Sequence, residues 1–139
     1  MENQELLKQT SFSSYEPKKG NRWLVKLGKP FDNINSWTVK LVKRPKLKIR
    51  KGKIKWTDII IKFYDPIGLN STEDQIWKSL ENLKSNNTLI NVIVNFLDPI
   101  GDVKNSTHYI TTLKDIDFGN LDYSTDELVI ITMKFKIKK

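Results

Sequence analysis

LVIITMKFKI, residues 128–137, carries apolar side chains at every second position: Val129, Ile131, Met133, Phe135 and Ile137 alternate with Lys134 and Lys136. A period of two puts the two sets on opposite faces of a pleated strand, so this stretch reads as a β-strand with one face in a core and the other wet. The same texture recurs upstream. Trp23, Val25 and Leu27 alternate with Leu24 and Lys26 until Gly28-Lys29-Pro30 stops the strand, and Trp37, Val39 and Leu41 share one face. Leu47 and Ile49 resume the alternation beyond Pro45, which imposes an edge, a bulge or a break. Lys51-Gly52 reads as a hairpin tip, from which Ile54 to Tyr64 returns as one long strand. Leu89 to Leu97 and Thr107 to Ile116 are further strands. One stretch has a different period. Ser71, a good N-cap, has Asp74 three positions on and precedes Ile76, Trp77, Leu80 and Leu83 at helical spacing, with Asn86-Asn87 as the stop. The expectation is a mainly β fold, a barrel or sandwich of about six antiparallel-rich strands with one α-helix and a long hairpin.

Residues 1–21, MENQELLKQTSFSSYEPKKGN, mix polar residues with Pro17 and Gly20 and show no sustained period; they read as an N-terminal arm, and 22–139 as a single β-barrel domain. A chain of 139 residues, 38% hydrophobic and 10% aromatic, suits a globular fold with a real core. It contains no cysteine, which rules out disulfides and thiolate metal sites. Nothing resembles a secretion signal, and apolar runs such as Ile59-Ile60-Ile61 are too short to span a bilayer, so the expectation is a soluble protein, or part of a soluble assembly, with no membrane partner.

FYDPIG (63–68) and FLDPIG (96–101) end two strands with nearly the same letters. Asp bonds back to the backbone, Pro presets φ and Gly supplies a positive φ, so each copy is turn chemistry. With no similarity on either side, two independent turns explain the pair better than an internal duplication.

Catalytic chemistry has little support. His108 is the single histidine, lies in a strand pattern among Thr107, Tyr109 and Ile110, and has no cysteine or nucleophile motif to serve, so it reads as structural or solvent-facing. Asp115, Asp117, Asp122, Asp126 and Glu127 cluster in and beside one loop, DFGNLDYSTDE, but their spacing matches no EF-hand, and a solvated or partner-facing loop is the better reading than a metal site. Neither G-x-G-x-x-G nor a P-loop occurs. No catalytic residue, cofactor or metal is expected, and the chain does not read as an enzyme.

Net charge is +8 and the pI about 9.6, but distribution says more than the total. Lys40 to Lys55 holds nine bases (Lys40, Lys43, Arg44, Lys46, Lys48, Arg50, Lys51, Lys53, Lys55) and no acid, while Asp115 to Glu127 holds five acids and no base. Three readings stay open. Basic hairpin and acidic loop can register neighbouring copies, head to tail; the hairpin can track nucleic-acid phosphates, which would need aromatics exposed for base stacking; or the lysines merely protect an exposed edge hairpin from aggregation. Under the first reading the lysines face a neighbour while Leu47, Ile49 and Ile54 pack the hairpin's other side. Trp37 and Trp56 flank the basic run and read as core or interface anchors.

A strand ending NFLDPIGDV, then HYITTLKDIDFG, then NLDYSTDELVIITMKFKI resembles the last three strands of bacteriophage contractile-tail tube proteins. There a hydrophobic strand, a D-P-x-G-type turn and a segment of the form "dldy…dd-l-v-ti-t" close a barrel. Arg22-Trp23-Leu24-Val25 fits the first strand, Trp37 to Tyr64 the long hairpin and Trp77 the helix, so the resemblance covers about residues 22–138. It implies a virion structural protein: hexameric rings of two-sheet barrels whose sheets join into an inner wall, stacked into a tail tube through which DNA passes as transient cargo. Sheath, baseplate or tape-measure proteins would be its partners, and a baseplate tube-initiator or tail-completion protein of the same fold is a related possibility. Related tubes occur in type VI secretion. The chain departs from the family in charge, since those lumens tend to be acidic or mixed and this sequence is strongly basic.

Overall fold

The computed structural model describes residues 19–68, 71–83 and 88–138; most of the expected N-terminal arm and the Asn86-Asn87 helix stop lie outside them. Strands β1 (Trp23–Leu27), β2 (Val39–Lys43), β5 (Ile59–Tyr64), β6 (Leu89–Leu97), β7 (Val103–Asp117) and β8 (Ile130–Ile137) form one sheet in the order β1-β6-β7-β8-β5-β2, while β3 (Leu47–Arg50) and β4 (Lys53–Trp56) form a separate two-stranded ribbon. Every pairing is antiparallel. The fold is mainly β, as expected, with one α-helix among the described residues, α1 (Thr72–Leu80).

Alternation builds the core. Val25 and Leu27 of β1, Ile59, Ile61 and Phe63 of β5, Ile90, Val92, Val94 and Phe96 of β6, and Ile131, Met133 and Phe135 of β8 are all buried in one cluster with Phe31 and Ile76. For strands at both ends of the sheet to share a core, the sheet must curl, and β7 supplies the bend. Its first part pairs with β6 and its last with β8, with a register shift between Leu113 and Asp115; a bulge of this kind bends the strand and increases its twist. The Arg44 guanidinium, just past β2, lies 5.4 Å from the ring centre of Phe96 on β6, so the two flanks of the curled sheet meet there. Among the described residues β1 pairs with β6 alone and β2 with β5 alone, which makes them the two edges.

Helix α1 starts where its letters say. Ser71 Oγ accepts from the Asp74 amide at 3.2 Å, Asp65 Oδ1 accepts from the Glu73 amide at 3.2 Å, and Glu73 and Asp74 place negative charge on the first turn. Ile76 is buried, Leu80 and Leu83 pack against the core, and Trp77 stacks on Phe118 with centroids 5.3 Å apart and planes 2° from parallel. The two DPIG segments do different work. Asp65 caps the helix, whereas Asp98 Oδ1 accepts from the amides of Ile100 (3.1 Å) and Asp102 (2.9 Å) and closes a tight turn between β6 and β7.

Three sequence expectations are corrected. The hairpin from Trp37 to Tyr64 is broken in both arms, before β3 and after β4, so Ile54 to Tyr64 is two strands. Pro45 interrupts the first arm, and at the break Lys46 and Thr57 exchange bonds, Thr57 Oγ1 accepting from the Lys46 amide (2.7 Å) and the Lys46 carbonyl from the Thr57 amide (2.9 Å). The face shared by Trp37, Val39 and Leu41 does not survive either: Trp37 falls in a single 3-10 turn and a register shift between Val39 and Leu41 turns Leu41 outward, leaving Val39 and Val42 half-buried. Trp37 and Trp56 are not core residues; both are exposed.

Candidate functional site

The ribbon β3–β4 is the site that the charge pattern singled out. Its tip is Lys51 (φ 49°) and Gly52 (φ 76°), two consecutive positive φ angles that join Arg50 to Lys53 in a two-residue turn matched to the twist of the strands. Register then sorts the side chains. Leu47 lies opposite Trp56 and Ile49 opposite Ile54, giving an apolar face; Lys48 lies opposite Lys55 and Arg50 opposite Lys53, giving a basic one. The expected packing of Leu47, Ile49 and Ile54 onto the rest of the protein does not occur, since they are 46%, 67% and 53% exposed, with Trp56 at 39%.

All the singled-out bases are exposed, but they do not act as one patch. Lys43 ends β2, Arg44 leans over Phe96, Lys46 sits at the ribbon's base and Lys51 at its tip. Lys48, Arg50, Lys51, Lys53 and Lys55 line a cleft of about 670 Å³ together with Lys114 of β7, with Asp58 as the one acid in its lining. Lys114 Nζ donates to Asp58 Oδ2 at 2.7 Å, and that bond, with the charge of Asp58 behind it, raises the lysine pKa and ties the root of the ribbon to the sheet. A second cleft, of about 650 Å³, is lined by Ile54 and Trp56 of the ribbon and Leu113 and Ile137 of the sheet.

The acidic set divides. Asp115 is on β7 opposite Lys134, and Asp117 follows opposite Thr132 with its Oδ1 accepting from the Gly119 amide at 2.9 Å. Asp122, Asp126 and Glu127 stand in the exposed loop between β7 and β8. There Asp122 Oδ1 accepts from the Ser124 hydroxyl (2.7 Å) and amide (2.9 Å), and these bonds, the hydroxyl first, hold its carboxyl below the usual carboxylate range. Leu121, Tyr123 and Leu128 are exposed in the same loop, a set the charge reading passed over although it stood in the letters between the acids. Among the described residues no group of acids and histidines is arranged to hold a metal, and His108 is exposed on β7. No described helix is long and apolar enough to cross a membrane.

Topology decides how these two segments relate. Ile59 pairs with Phe135 and Tyr64 with Ile130. The ribbon leads into β5 at Ile59, and the acidic loop leads into β8 at Ile130, so they lie at opposite ends of one strand pair. Five residue steps separate those ends, about 17 Å at the rise of an antiparallel strand. Within one chain the basic ribbon and the loop acids Asp122, Asp126 and Glu127 are therefore held apart, whereas Asp115, next to Lys114 of the ribbon's cleft, stays at the ribbon end.

No protein-family model matches this sequence, and none of the curated proteins matches it. Among solved structures the fold is similar to a chain of the anti-feeding prophage (AFP) baseplate, determined by cryo-EM with six-fold symmetry applied. The TM-score is 0.58 at 12% identity, over 89% of this chain and 93% of that one. At that identity the likeness is one of overall fold alone.

Proposed function

We propose that this chain is a structural, non-catalytic subunit of a contractile injection machine of the phage-tail kind, which forms hexameric rings that stack into the tube through which DNA passes. The fold shared with an AFP baseplate chain along nearly the whole of both chains is the observation that carries the reading. Two features of this molecule support it. Among the described residues the sheet has open edges at β1 and β2, and an open edge is a row of unpaired backbone donors and acceptors suited to pairing with another chain. Its two ends carry unlike charge, the ribbon basic and the β7–β8 loop acidic, so copies approach head to tail more favourably than head to head. Because the structural neighbour belongs to a baseplate, a tube initiator at the baseplate end, touching tube, sheath or tape-measure proteins, is the second reading.

Sedimentation and electron microscopy of the concentrated protein test this. Closed six-fold rings, alone or stacked, are expected. A monomer at every concentration that also fails to add to a baseplate or tube seed refutes it. If instead the monomer binds short single-stranded DNA tightly, with a steep salt dependence, the basic barrel is a nucleic-acid binder and not a conduit.

A further inference from the structure

Both faces of the ribbon are incomplete. On one, Leu47, Ile49, Ile54 and Trp56 form an apolar row open to solvent. On the other, Lys48 faces Lys55 and Arg50 faces Lys53, and like charges directly opposite one another across a ladder repel. A two-stranded ribbon is marginal in water by itself, so a partner that covers the first row and neutralises the second stabilises it on both counts. One segment of this chain has that double character. In residues 119–129, Leu121, Tyr123 and Leu128 stand exposed beside Asp122, Asp126 and Glu127, with no base among them. It leaves the sheet at the far end of the β5–β8 pair, away from its own ribbon.

We propose that the ribbon Leu47–Trp56 of one copy grips loop 119–129 of the next, with Ile49 and Ile54 against Leu121 and Tyr123 and the lysine row against Asp122, Asp126 and Glu127. The contact joins two different surfaces, so it propagates in one direction and does not close a symmetric dimer. Charge steers the approach and sets which end meets which; the apolar row, once desolvated, holds it. The contact rests on the assembling reading above, to which it adds an axial joint between rings whose lateral pairing uses the sheet edges.

The chain has no cysteine, which allows a clean crosslinking test. Full-length Ile49→Cys and Leu121→Cys variants are mixed and mildly oxidised. A disulfide-linked dimer containing one of each is expected, with little dimer of either variant alone. A double variant, Ile49→Ser with Ile54→Ser, leaves charge unchanged and should raise the concentration needed for stacking by about tenfold or more while single rings persist. If wild-type rings stack but the mixed disulfide does not form, or forms no better than the Ile49→Cys self-dimer, the proposed contact is wrong and the proposed function stands. If the mixed disulfide forms in a protein that makes no rings, the contact stands and the ring reading falls. Quenching of Trp56 by short single-stranded DNA that also blocks the mixed disulfide would give the ribbon to nucleic acid. Shielding of Trp56 from a soluble quencher that disappears on removal of residues 1–18 would give it to the chain's own N-terminus. Either result overturns the proposal.

Discussion

The stack of Trp77 on Phe118 should be worth a measurable part of the stability, because it ties α1 to the root of the acidic loop. Trp77 is 56% exposed, so a little under half of its surface is covered, and Phe118 directly follows the end of β7. A tryptophan can bury up to about 250 Å², which puts the covered part near 100 Å² and its transfer contribution at about 2.5 kcal/mol. An offset pair at 5.3 Å and 2° adds roughly 0.5 to 1.5 kcal/mol, while residual burial in the unfolded chain subtracts up to about 40% of the area part. Trp77→Ala is therefore expected to cost about 2 to 4 kcal/mol, or a fall of roughly 7–14 °C in Tm. Trp77→Phe keeps a ring against Phe118 and should lose less than half of that. Urea unfolding of the three proteins gives the free energies, and amide exchange at residues 118–123 reports on the loop. A loss under about 0.5 kcal/mol for Trp77→Ala, within the range of ordinary surface substitutions, would mean that the rings touch without holding α1 to the loop.

Ser71→Ala removes the oxygen that accepts from the Asp74 amide and should cost about 1 kcal/mol in urea unfolding, less only if Asp65 on the Glu73 amide already suffices. Gly119 has φ +89°, and a Cβ there would lie 2.9 Å from the Ile130 carbonyl oxygen, so Gly119→Ala should cost about 1 to 3 kcal/mol by the same measurement, with the loss traced to the loop by exchange. Asp122 has a depressed pKa in the folded protein; it contributes stability present above its unfolded pKa and lost as pH falls through the folded one. Ser124→Ala removes the hydroxyl bond, the larger cause of that depression, so NMR titration of the Asp122 carboxyl should show its midpoint moving up toward the ordinary carboxylate range, and an unmoved midpoint would show that the amide bond alone sets it.

Elements whose side chains alternate strictly were legible from their letters. LINVIVNFL is β6 with the bounds that its alternation marks, and Ile131, Met133 and Phe135 of β8 are the core face. The start of helix α1 was legible because Ser71 and the spacing of Ile76, Trp77 and Leu80 agree with each other, but the helix ends at Leu80 with Glu81 as its C-cap, so Leu83 lies beyond it and the stop comes earlier than Asn86-Asn87 suggested. What escaped depends on the backbone. β7 begins at Val103, several residues before its apolar alternation starts, because VKNST is held by the ladder to β6 and its exposed side chains have no reason to alternate. The bulge beside Lys40 reverses the face of Leu41 without any local letter to announce it.

The ribbon shows a further feature of such patterns, one that bears on the candidate site. Leu47, Ile49, Ile54 and Trp56 alternate with bases as regularly as the core residues of β8 alternate with lysines, yet one set is buried and the other is open. Period two assigns side chains to faces; whether a face is covered depends on what the rest of the chain brings to it. For β8 the curl of the sheet brings β1, β5 and β6. For the ribbon, the breaks at Lys46 and Thr57 swing it off the sheet, and the chain's own apolar and acidic loop emerges at the other end of the strand pair. A core-like pattern without a core, at one end of a strand pair whose other end carries an apolar and acidic loop, is the observation on which the proposed joint between subunits rests.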